Sequence, residues 1–141
     1  MAAVLKNVMS TITYEGALRT SATHLRSGKV IYTDAPVDNR GKGEAFSPTD
    51  LFATSLASCI LSIMGIAALD RDIDMEGTTA EVVKEMGGPP RHIAAIRIVI
   101  QLPTKPYTAA EKRVLAKAAE SCPVGRSIGP NVIQEVELIW G

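Results

Sequence analysis

The stretch from Ser47 to Leu69, SPTDLFATSLASCILSIMGIAAL, constrains the fold of this chain more than any other. From Leu51 to Leu69 it runs 19 residues without a charge, and Cys59 lies in its middle. Its beginning has the marks of a helix start. Ser47 is placed to cap the first turn, Pro48 suits the first helical position, and Asp50 puts a carboxylate near the positive helix end. Asp70-Arg71-Asp72 returns the chain to water at the other end. A helix that is apolar all round must be enclosed by protein or by lipid.

Nineteen residues are about the minimum for a bilayer span. Thr54, Ser55, Ser58, Cys59 and Ser62 interrupt the run, and neither end carries the Lys, Arg, Trp or Tyr anchors of a span. The reading is therefore a buried helix of a soluble protein, with no membrane partner. The amino terminus, MAAVLKNVMSTITY, lacks the layout of a secretory leader. Two cysteines, Cys59 and Cys122, are too few for a disulfide scaffold and have no zinc-finger spacing. Both points favour the cytoplasm, where an oxidised pair is more often catalytic than structural.

The chain of 141 residues reads as a single domain, 1–141, with a core filled mainly by Ala, Val, Ile and Leu because only six residues are aromatic. Fifteen basic residues balance fifteen acidic ones without any basic block, which argues against a nucleic-acid partner. Strand-like runs at Val8–Tyr14 and Leu18–Leu25 are expected to form a hairpin about Glu15-Gly16, and Ser27-Gly28 turns the chain into a third strand, Lys29–Thr33. Asp34–Ala45 reads as an exposed loop, and its GKG lacks the frame of a phosphate loop.

Beyond the helix, Thr78–Met86 and His92–Leu102 read as paired strands. In the second, Ile96, Ile98, Ile100 and Leu102 alternate with Arg97, Val99 and Gln101, the period of a sheet covered on one face. Thr108 to Glu111 forms a capping box that opens a second helix. Its inward side carries Val114, Leu115, Ala118, Ala119 and Cys122, with Pro123 expected as its stop. Val132–Trp140 closes the chain as a strand with Val132, Val136, Leu138 and Trp140 on one face. The order βββ-α-ββ-α-β, with strands in adjacent runs, predicts an α+β fold. One small sheet covers only one side of the uncharged helix, so a second copy of the chain is expected on the other, as a homodimer.

His24 and His92 have no companions at ligand spacing, and no metal or cofactor site is expected. Either cysteine alone reads as a small buried hydrophobe. Together, and with their flanking residues, they resemble a known family. Ser47-Pro48-x-Asp50-Leu51 with Cys59 resembles the cysteine helix of the OsmC/Ohr family of thiol-dependent, peroxiredoxin-like hydroperoxide reductases. Cys122-Pro123-Val124-Gly125 resembles that family's second-cysteine motif. Asp72–Gly77 after the helix and Thr33-Asp34-Ala35-Pro36 before it fit as well, so the resemblance extends over essentially the whole chain.

The resemblance implies an intertwined α+β homodimer with two active sites at its interface, acting in oxidative and osmotic stress defence. It makes Cys59 the peroxidatic thiolate, attacking an organic hydroperoxide, and Cys122 the resolving thiol. An external dithiol, of dihydrolipoamide type, is then the reductant. A thiol in apolar surroundings needs a cation to ionise, and Cys59 is too far along the helix for its dipole to supply one. The family's arginine falls by position at Arg19, with Arg40 and Arg126 in reserve. The family's partner carboxylate, ten residues before the first cysteine, is replaced here by Thr49. The acid at Asp50 projects to the opposite side of the helix from Cys59 and reads as a cap. Ser55 and Ser62 share the cysteine's face, although serines in helices tend to bond back to their own carbonyls. The competing expectation is an OsmC-like protein binding a small apolar ligand, whose cysteines only pack. A thiol–disulfide exchange enzyme fits less well, because no C-x-x-C is present.

Overall fold

The structure, a computed structural model, describes residues 4–141; residues 1–3, where the amino-terminal run begins, lie outside it. Two compact units divide the chain, one ending at Leu51 and the other comprising Phe52–Gly141.

The first unit is an antiparallel meander of β1 (Ser10–Gly16), β2 (Arg19–His24) and β3 (Val30–Asp34). The first hairpin turns two residues later than the sequence suggests. Gly16 pairs with Arg19, and Ala17 and Leu18 form the loop with φ of 52° and 63°. Two positive φ values in a two-residue loop make a type I′ turn, whose twist matches the strands it joins. Gly16 instead sits beside an irregularity in the β1 register, at φ 86°. The second turn lies at Ser27-Gly28, with Gly28 at φ 74°. Asp34, read from sequence as the start of an exposed loop, is the last residue of β3 and is wholly buried. The segment that follows holds a single 3-10 turn, Val37–Asn39.

Helix α1 spans Pro48–Asp70. Its start is a reciprocal cap: the Asp50 N–H donates to Ser47 Oγ at 3.0 Å, and the Ser47 N–H donates to Asp50 Oδ2 at 3.0 Å. Asp50 is thus a cap, as its position on the helix requires. By length and composition α1 could cross a membrane, but one of its faces belongs to the core of the second unit. That face is Ala53, Leu56, Ala57, Ile60, Met64 and Ala68, three or four residues apart. The expectation of a helix enclosed on every side is not met within one chain: Phe52, Ile66 and Leu69 are exposed.

The core is completed by β4 (Thr79–Gly87), β5 (His92–Leu102) and β6 (Ile133–Trp140), with β5 in the middle, antiparallel to β4 and parallel to β6. Ile96, Ile98, Ile100 and Leu102 of β5 are buried, as their alternation requires. The opposite face mixes charged residues with exposed Val83, Ile133 and Ile139. Arg97 bridges the sheet there, pairing with Glu85 on β4 and with Glu135 on β6, Nε to Oε2 at 2.8 Å. A parallel β5–β6 pair needs a crossover, which α2 (Ala109–Ala119) and α3 (Pro123–Ser127) supply. Thr108 and Glu111 form the expected capping box on α2, which buries Leu115 completely. Leu115→Ala is expected to lower the unfolding free energy by about 2–5 kcal/mol in urea. A loss under about 1 kcal/mol would mean that α2 is not part of the cooperative core.

Candidate active site

Both cysteines belong to the core cluster of the second unit. Cys59 lies about three turns into α1, partly exposed and packed against the core. Cys122 is not in the last turn of α2, as its spacing suggested, because α2 ends at Ala119. Pro123 opens α3 rather than stopping α2, since a missing N–H costs nothing in a first helical turn. Cys122 is therefore the N-cap of α3, buried at 4 % exposure, and its sulfur accepts the Gly125 N–H at 3.4 Å.

The same sulfur lies 4.0 Å from the carbonyl oxygen of Leu56, one turn before Cys59 on α1, and the Cys59 thiol is near enough to act on its ionisation. Both thiols are free. Burial pushes the Cys122 thiol up, contact with Cys59 adds to the rise, and the N–H groups of Gly125 and Val124 oppose it. At neutral pH Cys122 is a neutral thiol held beside Cys59. Two adjacent thiols can close to a disulfide once an oxidant has converted one of them into an electrophile.

The serines flanking Cys59 are turned to the helix backbone. Ser55 Oγ donates to the Phe52 carbonyl at 2.6 Å and Ser62 Oγ to the Ser58 carbonyl at 2.9 Å. An open groove of about 450 Å³ runs beside α1, between Thr54–Ser62 and the β4 residues Ala80 and Val82, and neither cysteine lines it.

Arg19 opens β2 in the first unit, directly across from Asp34 of β3. Its Nε donates to Asp34 Oδ1 at 2.7 Å and its Nη2 to Oδ2 at 2.8 Å, a bidentate pair. Nη2 also reaches Glu44 Oε1 at 3.3 Å, while the Glu44 N–H donates to Asp34 Oδ2 at 3.0 Å. The arginine's carboxylate partner thus comes from the end of β3 and not from the start of α1. Hydrogen bonding to Arg19 holds the Asp34 carboxyl below the usual range despite its burial, and Asp34 in turn keeps the guanidinium firmly protonated.

Since folding lowers the Asp34 pKa, the stability this carboxylate contributes is complete above the unfolded value of about 4. It is lost as pH falls through the lower, folded value. Asp34→Asn is expected to flatten the acid limb of the urea midpoint measured from pH 7 to about pH 2. An acid limb as steep as wild type would remove Asp34 from that account.

The reserve arginines, Arg40 in the loop after β3 and Arg126 in α3, are both exposed. His24 bonds Ser27 and His92 bonds the Pro90 carbonyl through their Nδ1 atoms. Among the described residues no cluster of His, Cys, Asp or Glu is arranged to hold a metal ion. Asp34 and Glu44 are the site residues that the sequence did not disclose. The available signal was register, because the hairpin that brings β2 against β3 sets Arg19 opposite Asp34.

Comparison with known proteins places this geometry in a family. The pattern of the OsmC-like protein family matches residues 41–137. A solved structure from Psychrobacter arcticus 273-4, named for osmotic stress induction and a detoxification response, is 49 % identical, with a TM-score of 0.90 over 97 % of this chain and 99 % of that one. The fold is shared by an OsmC organic hydroperoxide resistance protein of Legionella pneumophila, at 19 % identity, TM-score 0.71, and coverage of 96 % of this chain and 99 % of that one. It is shared too by the organic hydroperoxide resistance protein OhrB of Bacillus subtilis, at 19 % identity, TM-score 0.63, and coverage of 93 % and 98 %. Among curated proteins nothing matches the chain. With a family pattern over most of its length and a near-complete relative at 49 % identity, the chain belongs to the OsmC-like protein family.

Proposed function

We propose that this protein is a cysteine-based peroxidase that reduces organic hydroperoxides. The observation that carries this reading is the placement of both free cysteines in one core cluster, Cys59 partly exposed and the buried Cys122 sulfur 4.0 Å from the Leu56 carbonyl one turn before Cys59. The family relatives named for organic hydroperoxide resistance support the choice of substrate class.

In this reading the Cys59 thiolate attacks one oxygen of the hydroperoxide and the O–O bond breaks. The alkoxide leaves and takes up a proton as the alcohol, while Cys59 becomes a sulfenic acid. Cys122 then loses its proton as its sulfur displaces the sulfenic hydroxyl, giving water and the Cys59–Cys122 disulfide. An external dithiol supplies two electrons and two protons, restores both thiols and becomes a disulfide itself. No cofactor enters this cycle.

Arg19 is the cation proposed to support the Cys59 thiolate. Its Nε and Nη2 are engaged by Asp34 and Glu44, a pairing that fixes the guanidinium while Nη1 takes no part in it. A cytoplasmic homodimer is proposed as the working form. The exposed Phe52, Ile66 and Leu69 of α1 and the exposed Ile12, Tyr14 and Tyr32 of the meander support it, since a second copy would cover them. The alternative is a protein that binds a small apolar ligand with packed, inert cysteines; the placement of two free cysteines in one core cluster favours the peroxidase reading.

Titration of free thiols before and after one equivalent of cumene hydroperoxide tests the proposal. Both thiols of each chain are expected to disappear together and to return on addition of dihydrolipoamide. Retention of both thiols would reject the reading.

A further inference from the structure

One face of β6 packs on the core through Leu138 and Trp140 and carries Gln134 near its exposed start. Val136, Leu138 and Trp140 pair in register with Ile98, Ile100 and Leu102 of β5, and Gln134 pairs with Ile96. Partners in a parallel register point to the same side of the sheet, so Gln134 lies on the core side at the exposed start of β6, where Val136 is exposed as well. Gln134 Nε2 donates to the Gly125 carbonyl at 3.0 Å. Gly125 is the residue whose N–H bonds the Cys122 sulfur. Gly125 packs closely against both β6 and α1: a Cβ there would sit 3.0 Å from Gln134 Oε1, which would have to give slightly, and 3.4 Å from Leu56 Cδ1. The turn is thus clamped between β6 and α1, with the sulfur of Cys122 on its inner side.

We propose that Gln134 is a positioning residue for disulfide exchange, which by holding the Gly125 carbonyl keeps the Gly125 N–H on the Cys122 sulfur whenever that sulfur carries negative charge. This inference rests on the peroxidase reading and adds to it a direction for the reductive step. In a Cys59–Cys122 disulfide the more accessible sulfur is that of Cys59, since Cys122 is buried. An external dithiol attacks Cys59 as its thiolate, forms a mixed disulfide there and expels Cys122 as a thiolate. The second thiol of the reductant then closes its own disulfide, releasing Cys59, and Cys122 regains a proton. The leaving sulfur is the one that receives the Gly125 N–H, and a better-stabilised leaving thiolate departs faster.

The test uses Gln134→Met, which keeps the length of the side chain and removes the donor. In a Cys59→Ser background Cys122 is the sole cysteine, so the ultraviolet absorbance of the thiolate titrates it alone. Gln134→Met is expected to cut the thiolate fraction at a fixed pH below the midpoint by about threefold, half a pKa unit upward. In the two-cysteine protein, with its disulfide formed by diamide rather than by peroxide, dithiol reduction is expected to slow by a similar factor. Gly125→Ala, whose Cβ presses on the Gln134 amide, is expected to shift both readouts in the same direction and decides the matter if Gln134→Met does not fold. Titration curves and reduction rates that superimpose on those of the parent proteins would overturn the proposal. Failure of wild type to form a disulfide with cumene hydroperoxide would instead reject the peroxidase reading, leaving both readouts intact.

Discussion

Cys59→Ser is expected to lower dithiol-supported consumption of cumene hydroperoxide by about a thousandfold or more, the scale on which loss of a covalent nucleophile is felt. A serine hydroxyl is not ionised near neutral pH and has no sulfur to accept the peroxide oxygen. The substitution is otherwise mild. Ser55 and Ser62, on the same face of α1, already bond to helix carbonyls, and a serine at position 59 can do likewise. The folded variant should therefore match wild type in its far-ultraviolet circular dichroism while losing turnover. Consumption at the wild-type rate would leave the ligand-binding reading as the better one.

Cys122→Ser should separate the two halves of the reaction. The buried N-cap position tolerates serine, which is among the best capping residues and can accept the same Gly125 N–H. The variant is expected to consume roughly one equivalent of peroxide per chain in a first rapid phase. Steady-state turnover with dithiol should then be about a hundredfold below wild type. Without its resolving partner the Cys59 sulfenic acid persists and, with excess peroxide, proceeds to the sulfinic acid. Dimedone labelling of Cys59 followed by mass spectrometry checks this. A variant that turns over as fast as wild type would mean that the reductant acts directly on the Cys59 sulfenic acid and that Cys122 has no part in the cycle.

Much of this architecture follows from local rules. The alternation in β5 reports a sheet with one covered face because each core isoleucine is separated from the next by a residue on the opposite side. Both helix starts are legible because a cap is made by residues three apart and needs no tertiary information. Where sequence reasoning fails, two local meanings compete. Pro123 ends a helix or begins one with equal local sense, and only the fold shows that α2 stops at Ala119 and that a new turn starts at Cys122. Glu15-Gly16 has turn composition, but strand register places the loop at Ala17-Leu18.

Asp34 shows the same limit at the candidate site. In sequence it opens a stretch rich in Gly and Pro, where aspartate usually serves a turn. In the structure it closes a strand, and its burial is supported by a guanidinium from the neighbouring strand. A carboxylate partner for Arg19 is sought from sequence at the start of the cysteine helix, where Thr49 stands in its place, because a contact between strands leaves no trace in spacing. The pairing of the two cysteines is legible only through resemblance, since 63 positions separate them and no periodicity links a mid-helix residue to a later cap.

The central claim is that Cys59 and Cys122 of one chain are a redox pair. The most direct measurement is peptide mapping after treatment with one equivalent of cumene hydroperoxide, on a mixture of isotopically light and heavy protein. The account predicts a disulfide linking the Cys59 and Cys122 peptides, with light joined to light and heavy to heavy. Linked peptides of mixed label, or two thiols left free after the peroxide is consumed, would contradict it.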